Sequence, residues 1–312
     1  MLAWLKRTTA DLLYAGSLIV GIVAIAFFFF QAFPTDPARL ALGPGAGAET
    51  VERLRDGWGL NRPLGERFIS YIGGLARLDL GTTYRDNRSV SLQIGEKFAV
   101  TASIGLRASL LALAASYLIH LLAFCVPRLR FLAGGVATMV AIPSFLAAIL
   151  GGILVSILAP GIALSRTGDR VWNDYWLPVC ILAIYPVALL TRVLVRKIDD
   201  GRRTLYFQAQ AAAGFSNFHL FNRCLLRPAL VSWLAALFNH LSLLFLATMI
   251  VEIIFTIPGV GQLLALAVQR SDFPLIQGIL VLNGVFFIVL HFLSEQVYKS
   301  LNPAVRAGRS SR

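Results

Sequence analysis

Six runs of about 20 or more mostly apolar residues divide this chain, at 12–33, 100–124, 131–158, 176–197, 229–256 and 275–298. A helix of that length crosses the hydrocarbon core of a bilayer, and in lipid only a helix or a closed barrel satisfies its own backbone. The runs therefore predict an all-α membrane protein with six transmembrane helices. Composition agrees, with 57% of the 312 residues hydrophobic and only 14% charged, where a soluble domain carries about 25%. The third run contains Pro143 and Gly151-Gly152, so a kink or a break is expected there. Lys6 and Arg7 ahead of the first run resemble a secretory signal, but the run is too long and Phe33-Pro34 stands in place of small residues. It reads as an uncleaved helix.

The net charge of +12 is distributed by topology. With the amino terminus inside, the inner segments hold fifteen basic residues against Asp11, Asp199 and Asp200, while the outer segments hold twelve basic and eleven acidic residues. Nearly all the excess lies on one side, as the positive-inside rule requires. Nucleic acid is therefore not an expected partner, and membrane lipid is. Cys125, Cys180 and Cys224 are scattered and suggest neither a disulfide framework nor a metal site.

Between the first two spans lies an outer segment, 34–99. Its front, PTDPARLALGPGAGAE, reads as loop. Short helices are predicted at 49–56 and 62–78, the second with Phe68, Ile72 and Leu75 on one side. The segment is either a structural lid or a docking and substrate-guarding element. A second outer loop, 159–175, ends in Trp172, Tyr175 and Trp176, suited to an interfacial belt. After the fifth span, Ile257-Pro258-Gly259-Val260 places Pro and Gly where a type II turn wants them, and 262–268 reads as a short helix.

The segment 205–231, LYFQAQAAAGFSNFHLFNRCLLRPALV, is neither lipid-like nor loop-like. Phe207, Ala211 and Phe215 share a helical face. Gly214 then breaks the pattern, and Ser216 is placed to cap a second short helix carrying Phe218, Phe221 and Leu225 on one side. Pro228 suits the first turn of the following helix. Two short helices joined at a glycine bend, between two spans and on the basic inner side, form a docking surface for another protein.

Catalytic patterns are missing from the sequence. There is no Gly-x-x-x-x-Gly-Lys-Ser/Thr phosphate loop and no Gly-x-Ser-x-Gly elbow, and His120, His219, His240 and His291 lie on different segments without ligand spacing. The chain is not expected to be an enzyme or to bind a metal. Arg107 and Glu252 are charges within spans, costly unless paired or functional. They either meet near the outer end of a pathway, as gate or structural pair, or snorkel separately to the interface. An ion-driven transporter or channel would be expected to carry inverted repeats and midplane carboxylates, and neither is visible.

Five motifs in order resemble the integral-membrane permease subunits of bacterial ATP-driven importers, in the dipeptide, oligopeptide and nickel branch. Residues 252–261, EIIFTIPGVG, with Pro258, Gly259 and Gly261, look like that branch's Glu-x-x-Phe-x-x-Pro-Gly-x-Gly segment. Asp272, Pro274, Gln277 and Gly278 match the run that follows it. Residues 301–306, LNPAVR, are similar to its tail, and GWGLNRPL (57–64) and LDLGTTY (78–84) resemble its upstream elements. The resemblance implies a permease core over 100–300, after an N-terminal helix (1–33) and a periplasmic segment (34–99), with a cytoplasmic tail (301–312).

In that family the loop between spans four and five docks into a groove on a partner ATPase, through a Glu-Ala-Ala-x-x-x-Gly signature. The resemblance assigns this contact to Gln208, Ala209, Ala212, Gly214, Phe215, Phe218, Phe221, Arg223 and Arg227 in the loop 198–228. Gln208, Cys224, Pro228, Ser232, His291 and Glu295 depart from the common pattern. The implied function is one half of a translocation pathway, in the bacterial inner membrane with both termini cytoplasmic. The implied partners are a second, similar permease, two ATPases and a substrate-binding protein. ATP and Mg would enter through the ATPases, with no cofactor on this chain. The expected solute is a di- or oligopeptide, with nickel complexes and other small solutes as alternatives.

Overall fold

The computed structural model describes residues 2–31, 36–43, 45–158 and 175–301. The outer loop up to 174, the Phe33-Pro34 step and the tail motif beyond Leu301 lie outside the described residues. The described residues are helical apart from turns and one isolated antiparallel bridge, Thr82 to Ser89. The first helices are α1 (Leu2–Gln31), α2 (Pro37–Leu42), α3 (Ala48–Gly57), α4 (Leu64–Leu75), α5 (Val90–Cys125), α6 (Arg130–Thr138) and α7 (Ser144–Leu158). There follow α8 (Trp176–Arg202), α9 (Leu205–Ala212), α10 (Asn217–His219), a π-helical stretch (Leu220–Leu226), α11 (Arg227–Phe255), α12 (Val260–Gln269) and α13 (Phe273–Leu301).

Five helical stretches are long and apolar enough to cross a membrane, in α1, α5, α8, the run Asn217–Phe255 and α13. The third apolar run of the sequence is instead divided between α6 and α7, of 9 and 15 residues. The break falls just before Pro143, whose ring disfavours helical geometry at the preceding residue. Ile142 is accordingly extended. Gly151-Gly152 breaks nothing. A Cβ at Gly151 would lie 2.8 Å from Ile181 Cδ1, so this glycine lets α7 approach α8.

The chain separates into two compact units, one of 1–101 and 256–289, the other of 102–255 and 290–312. In the first, Val23 and Ala26 of α1 pack with Val281 of α13, and Tyr71, Ile72 and Leu75 of α4 close over them. Phe68 lies 5.2 Å from Phe27, ring to ring, so the predicted apolar face of α4 is the half-buried one that packs on α1. Gly278 marks the closest approach of α13 to the start of α5, since a Cβ there would stand 2.6 Å from Val90 Cγ1.

The front of the outer segment is not all loop, as its composition suggested. Asp36 caps α2 by accepting from the Ala38 amide at 3.0 Å, and Pro37 supplies a preset first helical residue. Further on, the LDLGTTY stretch holds the start of α5. The Ser91 hydroxyl donates to the Leu78 carbonyl at 2.7 Å and accepts from the Leu80 amide at 3.0 Å.

In the second unit α8 is the hub, with 56% of its most apolar window buried, against 17% for the first helix of the chain. Leu190, Leu194 and Ile198 of α8 meet Phe221 and Leu225 of the π stretch and Trp233 of α11 in one core. That core anchors the loop between α8 and α11.

Candidate functional site

The loop begins where Arg202 ends α8, its guanidinium carbon 4.9 Å over the Phe124 ring. Thr204 caps α9, its hydroxyl accepting from the Phe207 amide at 3.3 Å and donating to the Gly201 carbonyl at 2.7 Å. Helix α9 then stops in a Schellman arrangement. Gly214 has φ +80°, its amide donates to the Ala211 carbonyl at 3.1 Å, and the Phe215 amide reaches back to the Gln210 carbonyl at 3.4 Å. Nothing lies within 4 Å of a Cβ built on Gly214. The glycine is required by the backbone, not by crowding.

Ser216 caps the second helix as its position predicted, accepting from the His219 amide at 3.3 Å. That helix does not end before the next span. It runs through the π stretch into α11, giving one continuous helical run of 39 residues, Asn217–Phe255. Pro228 stands in the first turn of α11, as its position predicted, although the helical run is continuous through it. Proline brings no N–H and crowds the carbonyl four residues back. Immediately before it, the Arg227 amide donates to Asn222, five residues back, which is the wider spacing of a π turn.

The wide turn changes which residues face outward. Phe221 is fully buried, its ring 5.9 Å from Tyr117 and 5.7 Å from Phe124. Phe218 is 60% exposed and Phe215 45% exposed, the latter stacked on His219 at 4.7 Å. Phe218, Phe221 and Leu225 thus do not form the single face that the sequence spacing suggested. Phe221 and Leu225 point into the protein's own core, and Phe218 points out. Asn222 fixes the turn, accepting from the Tyr117 hydroxyl at 3.1 Å and donating to the Phe218 carbonyl at 3.0 Å.

Gln208, Ala209, Ala212, Gly214, Arg223 and Arg227 are all exposed. Phe207 turns inward, toward Phe124 at 6.3 Å. Two apolar residues that periodicity alone did not single out stand beside this surface: Leu205 is 84% exposed and Tyr206 55%. Their signal was available, since both directly follow the capping Thr204. The loop presents large apolar side chains around small ones, on a backbone whose bends are fully hydrogen-bonded.

The other predicted residues lie elsewhere. The Arg107 guanidinium donates to the Ser103 carbonyl at 3.2 Å and to its hydroxyl at 3.1 Å, and Glu252 is fully buried in α11. A Cβ on Gly105 would stand 3.5 Å from the Thr248 hydroxyl, so α5 and α11 are neighbours at this level. The Pro258-Gly259 corner is not a type II turn. Gly259 has φ −101° rather than a positive value, and its amide closes a tighter turn onto the Ile257 carbonyl at 2.7 Å. The Val260 amide instead takes the Thr101 hydroxyl at 2.9 Å, and the positive φ falls on Thr256 at +54°. Gly261 is buried in the first turn of α12.

Residues 121–307 match the family described as binding-protein-dependent transport system inner membrane component, and residues 1–105 match that family's N-terminal domain. The chain belongs to this family and is the permease subunit of an ATP-binding-cassette importer. A putative peptide transport system permease of Brucella abortus (strain 2308) is 30% identical over 298 residues, covering 93% of this chain and 94% of the relative. The glutathione transport system permease GsiC of Escherichia coli O6:H1 is 28% identical over 288 residues, covering 91% and 94%. GsiC of Salmonella choleraesuis is 29% identical over 287 residues with the same coverage. Membership implies ATPase and binding-protein partners and a multi-pass membrane location.

Proposed function

We propose that this subunit forms half of the pathway for a peptide-type solute, and that its 205–227 loop is where a cytoplasmic ATPase docks. The observation that carries the docking role is the exposed set Leu205, Tyr206, Phe215 and Phe218 around Ala209 and Ala212. Apolar anchors around small residues suit a helix laid into a groove. The peptide class draws on the relatives, a putative peptide permease and two glutathione permeases. The charge distribution supports a cytoplasmic position for both termini. A second permease of the same kind completes the pathway, and ATP and Mg act in the ATPases. Closure of the ATPases pushes the loop, and the spans change between two states of access.

Gly214→Val tests the docking role. A branched side chain at φ +80° costs about 1–2 kcal/mol locally, and the altered bend should reduce transport-coupled ATP hydrolysis at least tenfold. Membrane insertion, followed by protease protection, should be unchanged. Normal uptake with an intact complex would remove the docking assignment.

Arg107 and Glu252 are proposed to form a pair closing one end of the pathway, supported by the neighbouring Gly105 and Thr248. The double charge swap should recover part of what Arg107→Glu and Glu252→Arg each lose in uptake. No recovery would end this reading.

A further inference from the structure

A cavity of about 670 Å³ opens in the unit formed by 1–101 and 256–289. Its volume lies within the roughly 300–1,000 Å³ of small-ligand sites. The walls come from the end of α1, the turn after α3, α4, the stretch 79–84 and the first turn of α13. Trp58 and Tyr84 form one side as a flat stack, with ring centroids 4.0 Å apart and planes 10° apart. The Tyr84 amide donates to Asp272 Oδ1 at 3.2 Å, tying this wall to the beginning of α13.

The charges in the cavity are unequally engaged. Asp36 accepts from Ala38 and lies 3.5 Å from Arg55 Nε. Asp79 accepts from the Gly81 amide at 2.9 Å. Arg62 and Arg67 also line the space, and among the described residues neither has a carboxylate within 4.0 Å. Arg67 donates only to the neutral Gln31 side chain, at 2.9 Å, and to the Leu60 carbonyl, at 3.5 Å. Guanidinium groups so placed match the fork of a carboxylate.

The floor carries polar groups without a well-formed partner. Gln277 is 9% exposed, yet its side-chain nitrogen makes no hydrogen bond among the described residues. The Tyr71 hydroxyl faces it and likewise lacks a properly aligned partner. Burial pushes the Tyr71 phenol up to about 12, with the Gln277 side chain opposing the rise, so it stays a neutral donor. Buried polar groups in this state cost free energy until something bonds to them.

We propose that this cavity binds a short peptide with a free carboxyl terminus, the carboxylate at Arg62 and Arg67 and a peptide group at Gln277 and Tyr71. The Trp58–Tyr84 stack gives an apolar wall for a ligand side chain. Glu66, exposed on the same lining, offers a place for the ammonium end. The site itself stands on the cavity, on guanidinium groups with no carboxylate beside them, and on the poorly aligned Tyr71–Gln277 pair. The choice of a peptide over other carboxylates rests on the peptide-import reading above.

The test uses the full chain in phosphatidylcholine nanodiscs, titrated with tri-alanine and with its carboxyl-terminal amide, and read by tryptophan fluorescence. Tri-alanine should give a saturable change that Trp58→Phe removes, and the amide should bind at least tenfold more weakly. Arg62→Gln, an exposed change, and Gln277→Leu should each weaken tri-alanine at least fivefold, with unfolding temperatures checked alongside. Equal binding of acid and amide, or indifference to both substitutions, overturns the site. ATP-dependent tri-alanine uptake by the assembled transporter is measured in parallel. Uptake without binding to the isolated chain overturns the cavity site and leaves the import reading standing. Binding that Arg62→Gln weakens, without uptake, keeps the site and overturns the import reading.

Discussion

The 203–227 loop and the 57–89 stretch both lie between long helices, and both are held by hydrogen bonds from side chains to backbone. They expose opposite chemistry. The loop puts Leu205 and Phe218 into the open at 84% and 60%, and surrounds them with alanine and glycine. The outer stretch turns its aromatic rings against one another, as in Trp58 on Tyr84, and leaves guanidinium groups facing a cavity. An exposed apolar surface with small gaps suits covering by a protein, whereas a polar recess suits something small. One chain thus carries two kinds of surface, and its average composition hides both.

The largest effect separates the two faces of the loop itself. Phe221→Ala should cost about 3–5 kcal/mol, as expected for an aromatic removed from a packed core. Phe218→Ala should change stability by no more than about 0.5 kcal/mol while lowering stimulated ATPase activity. Thermal unfolding in detergent with a parallel ATPase assay distinguishes them, and equal destabilisation would erase the division between inner and outer faces. In the other unit, Gly278→Val should cost about 1–3 kcal/mol by overpacking against Val90, read as a lower denaturation midpoint. The docking of the loop should survive it. If ATPase binding fails together with the midpoint, the two regions are not separable in the way their chemistry suggests.

Smaller changes sharpen the contrast. Thr256 adopts φ +54°, a conformation that β-branched residues rarely take. Thr256→Gly should therefore raise stability by about 1 kcal/mol. Burial raises the Asp272 carboxyl above its ordinary range, against the opposing hydrogen bond from the Tyr84 amide. The folded state then holds this proton more tightly than the unfolded chain. The stabilisation is present at acid pH and is lost as pH rises through the elevated value. Asp272→Asn, which keeps an acceptor for Tyr84, should flatten this dependence in melting temperatures taken between about pH 4 and 7. An unchanged pH slope would show that Asp272 is not its source.

Much of this architecture was legible because lipid imposes few choices. Long apolar runs become helices, Pro143 stops one of them, and Ser216 and Gly214 do locally what their side chains and backbones favour. The short helices at 48–57 and 64–75 also follow from spacing. Four features did not follow. Helix α2 hides in a Pro/Gly-rich stretch, because Asp36-Pro37 is a helix start that composition alone does not reveal. The corner at Pro258 depends on a hydrogen bond that the Val260 amide donates to the distant Thr101 hydroxyl, which no local turn rule contains. The inward turn of Phe221 depends on a helix that widens, whereas spacing assumes a constant 3.6 residues per turn. The cavity was least visible of all, since Gln277 is far in sequence from Arg62 and Arg67 and joins them only when α4 and α13 pack.

The π stretch before Pro228 also sets a phase. A π turn is in effect one residue inserted into an α-helix, so everything on its N-terminal side is rotated by about 100° relative to an uninterrupted helix. Removing one residue from 220–226 would preserve the composition, the caps and the apolar pattern of the span. It would nevertheless swing Phe218 away from the direction it now faces and offer any partner a different face. On the docking proposal, recognition would therefore change by a single deletion inside a helix, with every exposed side chain of the loop kept.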